Sequence, residues 1–252
     1  MFTNKYIFTY AAVMVTVVAI VLSSAATLLQ PMQEHNEKVE KMSGILQSAE
    51  LKPAEKAKVP EAYNDYIVEE WVINTDGEII SKYKEGELVE GDFRAFDIKL
   101  EDELHKLDLM EKAKDVEPHF PIYVAEKQGN RMYIIPMRGK GLWGPVWGNI
   151  ALKSDFRTVA GATFGHKSET PGLGAEIANK PFQDQFIGKT IFNEDYEFTS
   201  IKVVKGGVDN SNVNPKHGVD AISGGTITSN GVDNMLQEVL SVYKPFVKKH
   251  II

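Results

Sequence analysis

The chain has 252 residues, 43% hydrophobic and 25% charged, which is ordinary usage for a globular protein of one or two domains. Its net charge of -7 and pI near 5.5 provide no basic stripe to release counterions from a phosphate backbone, which argues against a nucleic-acid partner. It contains no cysteine, which removes thiolate-held clusters, cysteine zinc sites and disulfides, and fits an exported domain. The six histidines, His35, His105, His119, His166, His217 and His250, show no ligand spacing, so no metal site is expected.

From Tyr6 to Leu29 the chain reads "YIFTYAAVMVTVVAIVLSSAATLL", 24 residues without a charge. At about 1.5 Å per residue such a helix covers a hydrocarbon core of roughly 30 Å. The other reading is a cleaved signal peptide, supported by the small residues from Ser23 to Ala26, although its apolar region normally runs only about 7 to 15 residues. Lys5 precedes the run and Glu34, Glu37, Lys38, Glu40 and Lys41 follow it, so the positive-inside rule says little. The default is a short N-terminus inside and the bulk outside. Pro31 is expected to separate this span from a stalk, "NEKVEKMSGILQSAEL", in which Val39, Met42, Ile45, Leu46 and Ala49 share a helical face.

Two β-rich runs around Asn74-Thr75-Asp76-Gly77, in "YIVEEWVINTDGEIISKY", predict a hairpin, and "PIYVAEKQGNRMYIIPM" predicts a second turning at Gln128-Gly129-Asn130. Further strands are predicted in "VWGNIAL", "RTVAGATFG" and "YEFTSIKVV", and helices in "LEDELHKLDLM" and from Gly174 to Phe186. Hairpins with a few helices and no regular βαβ alternation indicate an α+β protein: one N-terminal transmembrane helix, then a mainly antiparallel sheet domain with packed helices.

Near the C-terminus, Val232, Met235, Leu236, Val239, Leu240 and Tyr243 recur at helical spacing, with Ser229 or Asn230 as N-cap candidates and an end near Pro245. In front of this helix, "DAISGGTITSNGV" places four hydroxyl side chains around two adjacent glycines. Such a loop serves either as a plain cap or as an anion site, because unpaired amides and the helix dipole favour a phosphate there. In "HKSETPGLGAEI", Thr170 reads as a cap, Pro171 as a first helical residue, and Gly172 and Gly174 as loop.

The stretch Asp220 to Thr226 resembles the flavinylation motif of the FMN-binding domain family, an aspartate followed by Ser/Thr-Gly-Ala-Thr. "GHKSETPGLGAEI" at 165–177 and "GKGLWGPVWGNIAL" at 139–152 extend the likeness, as does the single span before an exported domain. Within that family the pattern is similar to the NqrC-type subunits of Na+-translocating NADH:quinone reductases, with the sister flavin-carrying subunits of Rnf electron-transport complexes as the alternative. A non-redox, membrane-tethered sensor or binding module is the reading from a different functional class.

The resemblance implies FMN held as a phosphoester on Thr226, attached by a separate flavin transferase that recognises Asp220, Ser223 and Gly224. Gly225 stands where the family usually has alanine. Thr228 and Ser229 are alternative hydroxyls for the attachment. Glu169, Thr170, Leu173 and Gly174 are implied to line the flavin, with Trp143 and Trp147 as stacking or docking candidates and His166 as a further neighbour. No histidine or lysine adjoins Thr226 to activate its hydroxyl, so self-modification is not expected.

The implied function is an electron relay in which no side chain makes or breaks a substrate bond. The implied partners are subunits B, D, E and F of the complex. The implied place is the bacterial inner membrane, with residues 1–30 forming the span, 31–60 a stalk, and 61–252 a periplasmic domain whose FMN-binding part covers about 140–245.

Overall fold

The structure, a computed structural model, describes residues 3–110 and 116–251. It divides into two units, Met1–Lys41 and Met42–Ile252. A single helix, α1 (Asn4–Ser48), begins in the first and ends in the second. Its N-terminal part exposes apolar side chains all round, from Tyr6 and Phe8 through Val15 and Ile20 to Leu28, as a candidate membrane span does. The Thr16 and Thr27 hydroxyls donate to the carbonyls of Ala12 and Ser23 at 2.8 and 3.0 Å, so these polar groups within the apolar run are satisfied inside the helix. Pro31 does not separate span from stalk: it lies inside α1. A proline removes one backbone hydrogen bond from a helix, and in a helix of 45 residues that loss does not end it.

The larger unit is built on a seven-stranded antiparallel sheet in the order β3-β2-β1-β4-β5-β6-β7. After α2 (Val59–Tyr66) come β1 (Ile67–Ile73), β2 (Ile79–Lys84) and β3 (Glu87–Glu90), then α3 (Leu100–Met110), β4 (Phe120–Lys127), β5 (Asn130–Lys140), β6 (Pro145–Lys153) and β7 (Val159–His166). Both predicted hairpins form. The tight second turn puts Gln128 at φ 53° and Gly129 at φ 78°, the left-handed pair that a two-residue hairpin loop needs. Helix α3 and strands β4 to β7 come from the runs that predicted them, whereas β3 is short and exposed throughout and carried no alternation strong enough to read.

One face of the sheet is covered by α5 (Thr226–Val242) and α6 (Lys244–His250). Val232, Met235, Leu236, Val239, Leu240 and Tyr243 are all buried there, and the Tyr243 hydroxyl donates to Pro121 O at 2.9 Å. Each such aliphatic side chain contributes about 1.5–3 kcal/mol by leaving water. α5 ends at Val242, close to Pro245 as expected; Pro245 lies in the first turn of α6, and Phe246 then packs on Trp71 and Phe156.

Against the opposite face lie the last turns of α1, where Ile45 and Leu46 are buried and the Thr163 hydroxyl donates to Gly44 O at 3.2 Å. Beside them Tyr63 of α2 packs edge-on to Phe96 and Tyr123. The sheet is thus the middle of three layers.

Two predicted elements differ. The run from Gly174 to Phe186 is broken into 3-10 turns at Gly174–Ala178 and Asp184–Phe186 flanking α4 (Lys180–Gln183). Asn179 is extended there, at φ -94° and ψ 149°, and Pro181 falls in the first turn, where its missing N–H costs nothing. In "YEFTSIKVV" only β8 (Lys202–Val204) is a strand, because Tyr196 and Ser200 take left-handed φ of 58°. β8 pairs in parallel with β9 (Gly218–Asp220), which leads directly into the Gly-rich loop.

Candidate functional site

Three segments separated in sequence meet at one end of β5, β6 and β7: the 141–144 turn, the 166–174 loop and the 221–229 entry to α5. The first turn is closed by Gly141 N–H donating to Gly144 O at 2.8 Å. The second is organised by Thr170, whose carbonyl accepts from Leu173 and Ala175, both at 3.1 Å. Residues 171–173 therefore form a turn rather than the helical start that Thr170 and Pro171 suggested.

The third begins where Asp220 Oδ1 accepts the Val208 N–H at 2.7 Å and Asp220 N–H donates to Gln185 Oε1 at 2.7 Å. Gly224 takes φ +73°, and a Cβ there would lie 2.6 Å from Leu173 Cδ2, so the Leu173 side chain rests on the Gly224 backbone.

α5 starts at Thr226 with Gly225 as N-cap, earlier than Ser229 or Asn230 would set it. Ser229 is occupied otherwise: its Oγ accepts the Ile222 N–H at 3.0 Å, which folds the loop back on the helix. The four hydroxyls of the loop thereby part into two classes. Thr228 and Ser229 are buried, at 2% and 1% exposure, and the Thr228 hydroxyl donates to Glu169 Oε2 at 2.6 Å. Thr226 is half-buried, Ser223 is exposed, and among the described residues the Thr226 hydroxyl makes no side-chain hydrogen bond.

Gly225 itself is buried: a Cβ would stand 3.0 Å from Ile222 Cγ2 and 3.2 Å from Gly174 N, tight contacts that an added methyl would have to push apart.

Glu169 is 4% exposed, with both carboxylate oxygens turned into the protein. Thr170 and Leu173 face solvent and Gly174 is buried beneath them. The His166 Nδ1 accepts the Glu169 N–H at 3.2 Å, so His166 orders its own loop. Trp147 packs over Gly165, its cross-strand partner, and is partly buried, whereas Trp143 on the turn is 64% exposed. Leu142, Leu173 and Ile227 are also exposed around the loop. The Glu169–Thr228 bond, across 59 residues, and the Ile222–Gly225 contact carried no signal in the sequence. The exposure of Leu142 and Ile227 was likewise unreadable, since an apolar residue outside a periodic run carries no sign of which way it faces.

A half-exposed hydroxyl at the head of a long helix, open glycine backbone beside it and exposed apolar side chains around it suit a group with a phosphate and a flat, apolar ring system. The model of the FMN-binding domain family matches residues 141–241, which contain all three segments. This is the class that fold and site define.

The NqrC subunit of the Na+-translocating NADH-quinone reductase of Vibrio alginolyticus is 35% identical over 223 residues, covering 86% of this chain and 83% of that protein. Its Pseudomonas aeruginosa counterpart is 32% identical over 228 residues, covering 90% and 87%. The crystal structure of the corresponding Parabacteroides distasonis protein superposes with a TM-score of 0.72 at 38% identity, over 87% of this chain and 96% of that one. A structure of Shewanella oneidensis NqrC, at TM-score 0.63 and 23% identity over 85% and 99%, shares the fold. The chain belongs to the NqrC family, a subunit family of the Na+-translocating NADH-quinone reductases.

Proposed function

We propose that the chain is the membrane-anchored flavoprotein subunit of a Na+-translocating NADH:quinone reductase, with FMN held as a phosphoester on Thr226. The observation that carries this reading is the division of the loop hydroxyls, which leaves Thr226 accessible at the first residue of α5 while Thr228 and Ser229 are buried and bonded. Bound FMN would supply one- and two-electron redox chemistry. The chain's own part is to hold and orient the group: the amides of Thr226, Ile227 and Thr228, unbonded among the described residues, favour its phosphate, and Leu173, Trp143 and the 172–174 backbone offer an apolar rim for its ring.

The Thr226 hydroxyl has no general base bonded to it among the described residues, which supports attachment by a separate flavin transferase. In that step Thr226 Oγ bonds to the FMN phosphorus of FAD, AMP leaves, and the hydroxyl proton passes to a base of the transferase. Asp220, Ser223 and Gly224 form the surface presented to that enzyme, with Gly225 buried behind it, and Thr170, Leu173 and Gly174 line the ring, with Glu169 buried behind them. The chain would relay electrons beside subunits B, D, E and F, anchored by α1 in the bacterial inner membrane with the larger unit in the periplasm.

The test is co-expression of the full chain with a flavin transferase, a denaturing gel under ultraviolet light, and peptide mass analysis. A fluorescent band with an FMN-sized addition on Thr226 is expected. Thr226→Ala should abolish it while changing stability by less than about 1 kcal/mol, since the side chain is half-exposed. Thr228→Ala and Ser229→Ala should keep the addition on Thr226. A dark, unmodified wild-type protein would sink the reading in favour of a colourless binding module.

A further inference from the structure

The Glu169 carboxylate joins all three segments of the site. Oε1 accepts the Trp143 N–H of the 141–144 turn at 2.8 Å, and Oε2 accepts the Thr228 hydroxyl of α5 at 2.6 Å. The neighbouring Ser168 hydroxyl donates to Trp143 O at 2.8 Å, so the backbone of Trp143 is held at both its N–H and its carbonyl. Space for the carboxylate is left by two glycines. A Cβ at Gly141 would lie 2.5 Å from Oε1, and one at Gly174 would lie 2.7 Å from Oε2 and overlap the Thr228 hydroxyl. No lysine or arginine pairs with Glu169 among the described residues. A buried carboxylate held by two neutral donors and no cation is a costly way to fill space, so its geometry is what it contributes.

We propose that Glu169 is a positioning residue that fastens the 141–144 turn, its own loop and the first turn of α5 into one unit, and so sets how the Thr226 hydroxyl is presented. The lever is the helix. At 3.6 residues per turn, side chains two apart point roughly 200° from each other. With Thr228 pulled inward by Glu169, Thr226 points outward, as its partial exposure records. The same clasp holds the backbone of the exposed Trp143. This inference rests on flavin attachment at Thr226, and deepens it.

The experiment uses the full chain in wild-type, Glu169→Ala, Glu169→Gln and Thr228→Val forms. It reads the initial rate of flavin attachment at limiting transferase by intact mass, and amide hydrogen exchange at Trp143 and in the first turn of α5. Glutamine keeps both links, with Oε1 accepting from Trp143 N–H and Nε2 donating to Thr228 Oγ1, so Glu169→Gln should stay within about twofold of wild type in both readouts. Glu169→Ala should slow attachment about tenfold and speed exchange at both places. Thr228→Val, which keeps the shape but cannot donate, should free the helix turn and slow attachment while leaving Trp143 protected.

Wild-type attachment and exchange in Glu169→Ala would overturn the proposal, and so would a Glu169→Gln as impaired as the alanine form, which would assign the effect to charge. If Glu169→Ala fails to fold, Glu169→Gln and Thr228→Val decide between the same outcomes. If the wild type takes up no flavin, the attachment reading fails alone, because the exchange data still test the clasp.

Discussion

At the scale of the residue, the site depends on which side of one helical turn each hydroxyl occupies. Thr226 and Thr228 differ by two positions and by burial, and Glu169 accounts for the difference. Gly225 is the second such detail. Alanine at this position would press on Ile222 Cβ and Cγ2 and on the Gly174 amide, which would have to give by a few tenths of an ångström. Gly225→Ala should therefore lower stability by about 1 kcal/mol in a urea melt, the cost of mild overpacking. It should leave Thr226 acceptable to the transferase, since that side chain points away from the contact; loss of attachment by mass would refute this.

Among the elements, two polar knots tie turns, loops and α2 to the sheet. In the β6–β7 turn Asp155 Oδ1 accepts the Arg157 and Thr158 amides at 3.0 and 2.9 Å, and Oδ2 accepts the Thr158 hydroxyl at 2.6 Å. Burial by itself raises the Asp155 pKa, but the bonds from Thr158 and Arg157 outweigh it and hold the carboxyl below its ordinary value. A pKa depressed on folding contributes stability above the unfolded carboxylate pKa, lost as pH falls through the folded one. Asp155→Asn should thus cost about 1 kcal/mol at neutral pH. Its deficit against wild type should shrink below about pH 4 in melts across that range; a deficit that grows in acid would contradict the sign.

The second knot is Glu70, 2% exposed, which accepts from Arg94 Nη2 at 2.8 Å, the Phe96 amide at 2.9 Å and the Tyr63 hydroxyl at 3.0 Å. Glu70→Ala strands the partly buried Arg94 and should cost about 3 kcal/mol. Flavin attachment below the melting temperature should be unchanged, because none of these groups touches the Thr226 loop.

For the whole molecule, the test falls on α1. Its N-terminal part is apolar on every side, and such a helix is retained in a bilayer at about 30 Å of hydrocarbon. The full chain is expected to stay in the membrane fraction through a carbonate wash and to need detergent for release. A mature protein whose intact mass lacks this segment would show instead that it is a cleaved signal. The larger unit was largely legible, because β4 to β7, α3 and α5 carry strong alternation, continuous apolar runs or helical periodicity. The short β3 and β9 were not, since so few residues do not establish a period.

What the sequence determined by itself is local or repetitive: the apolar span, the hairpin turns set by glycine, the buried stripe of α5, and the hydroxyl-glycine loop before it with its family likeness. Tertiary structure alone decided which hydroxyl faces water, where α5 begins, and which residues Glu169 holds. Each of these depends on a contact between segments far apart in the chain, Trp143 with Glu169 and Glu169 with Thr228. Such contacts leave no periodicity in either segment, and only the packing of the sheet against α5 brings them within a hydrogen bond of each other.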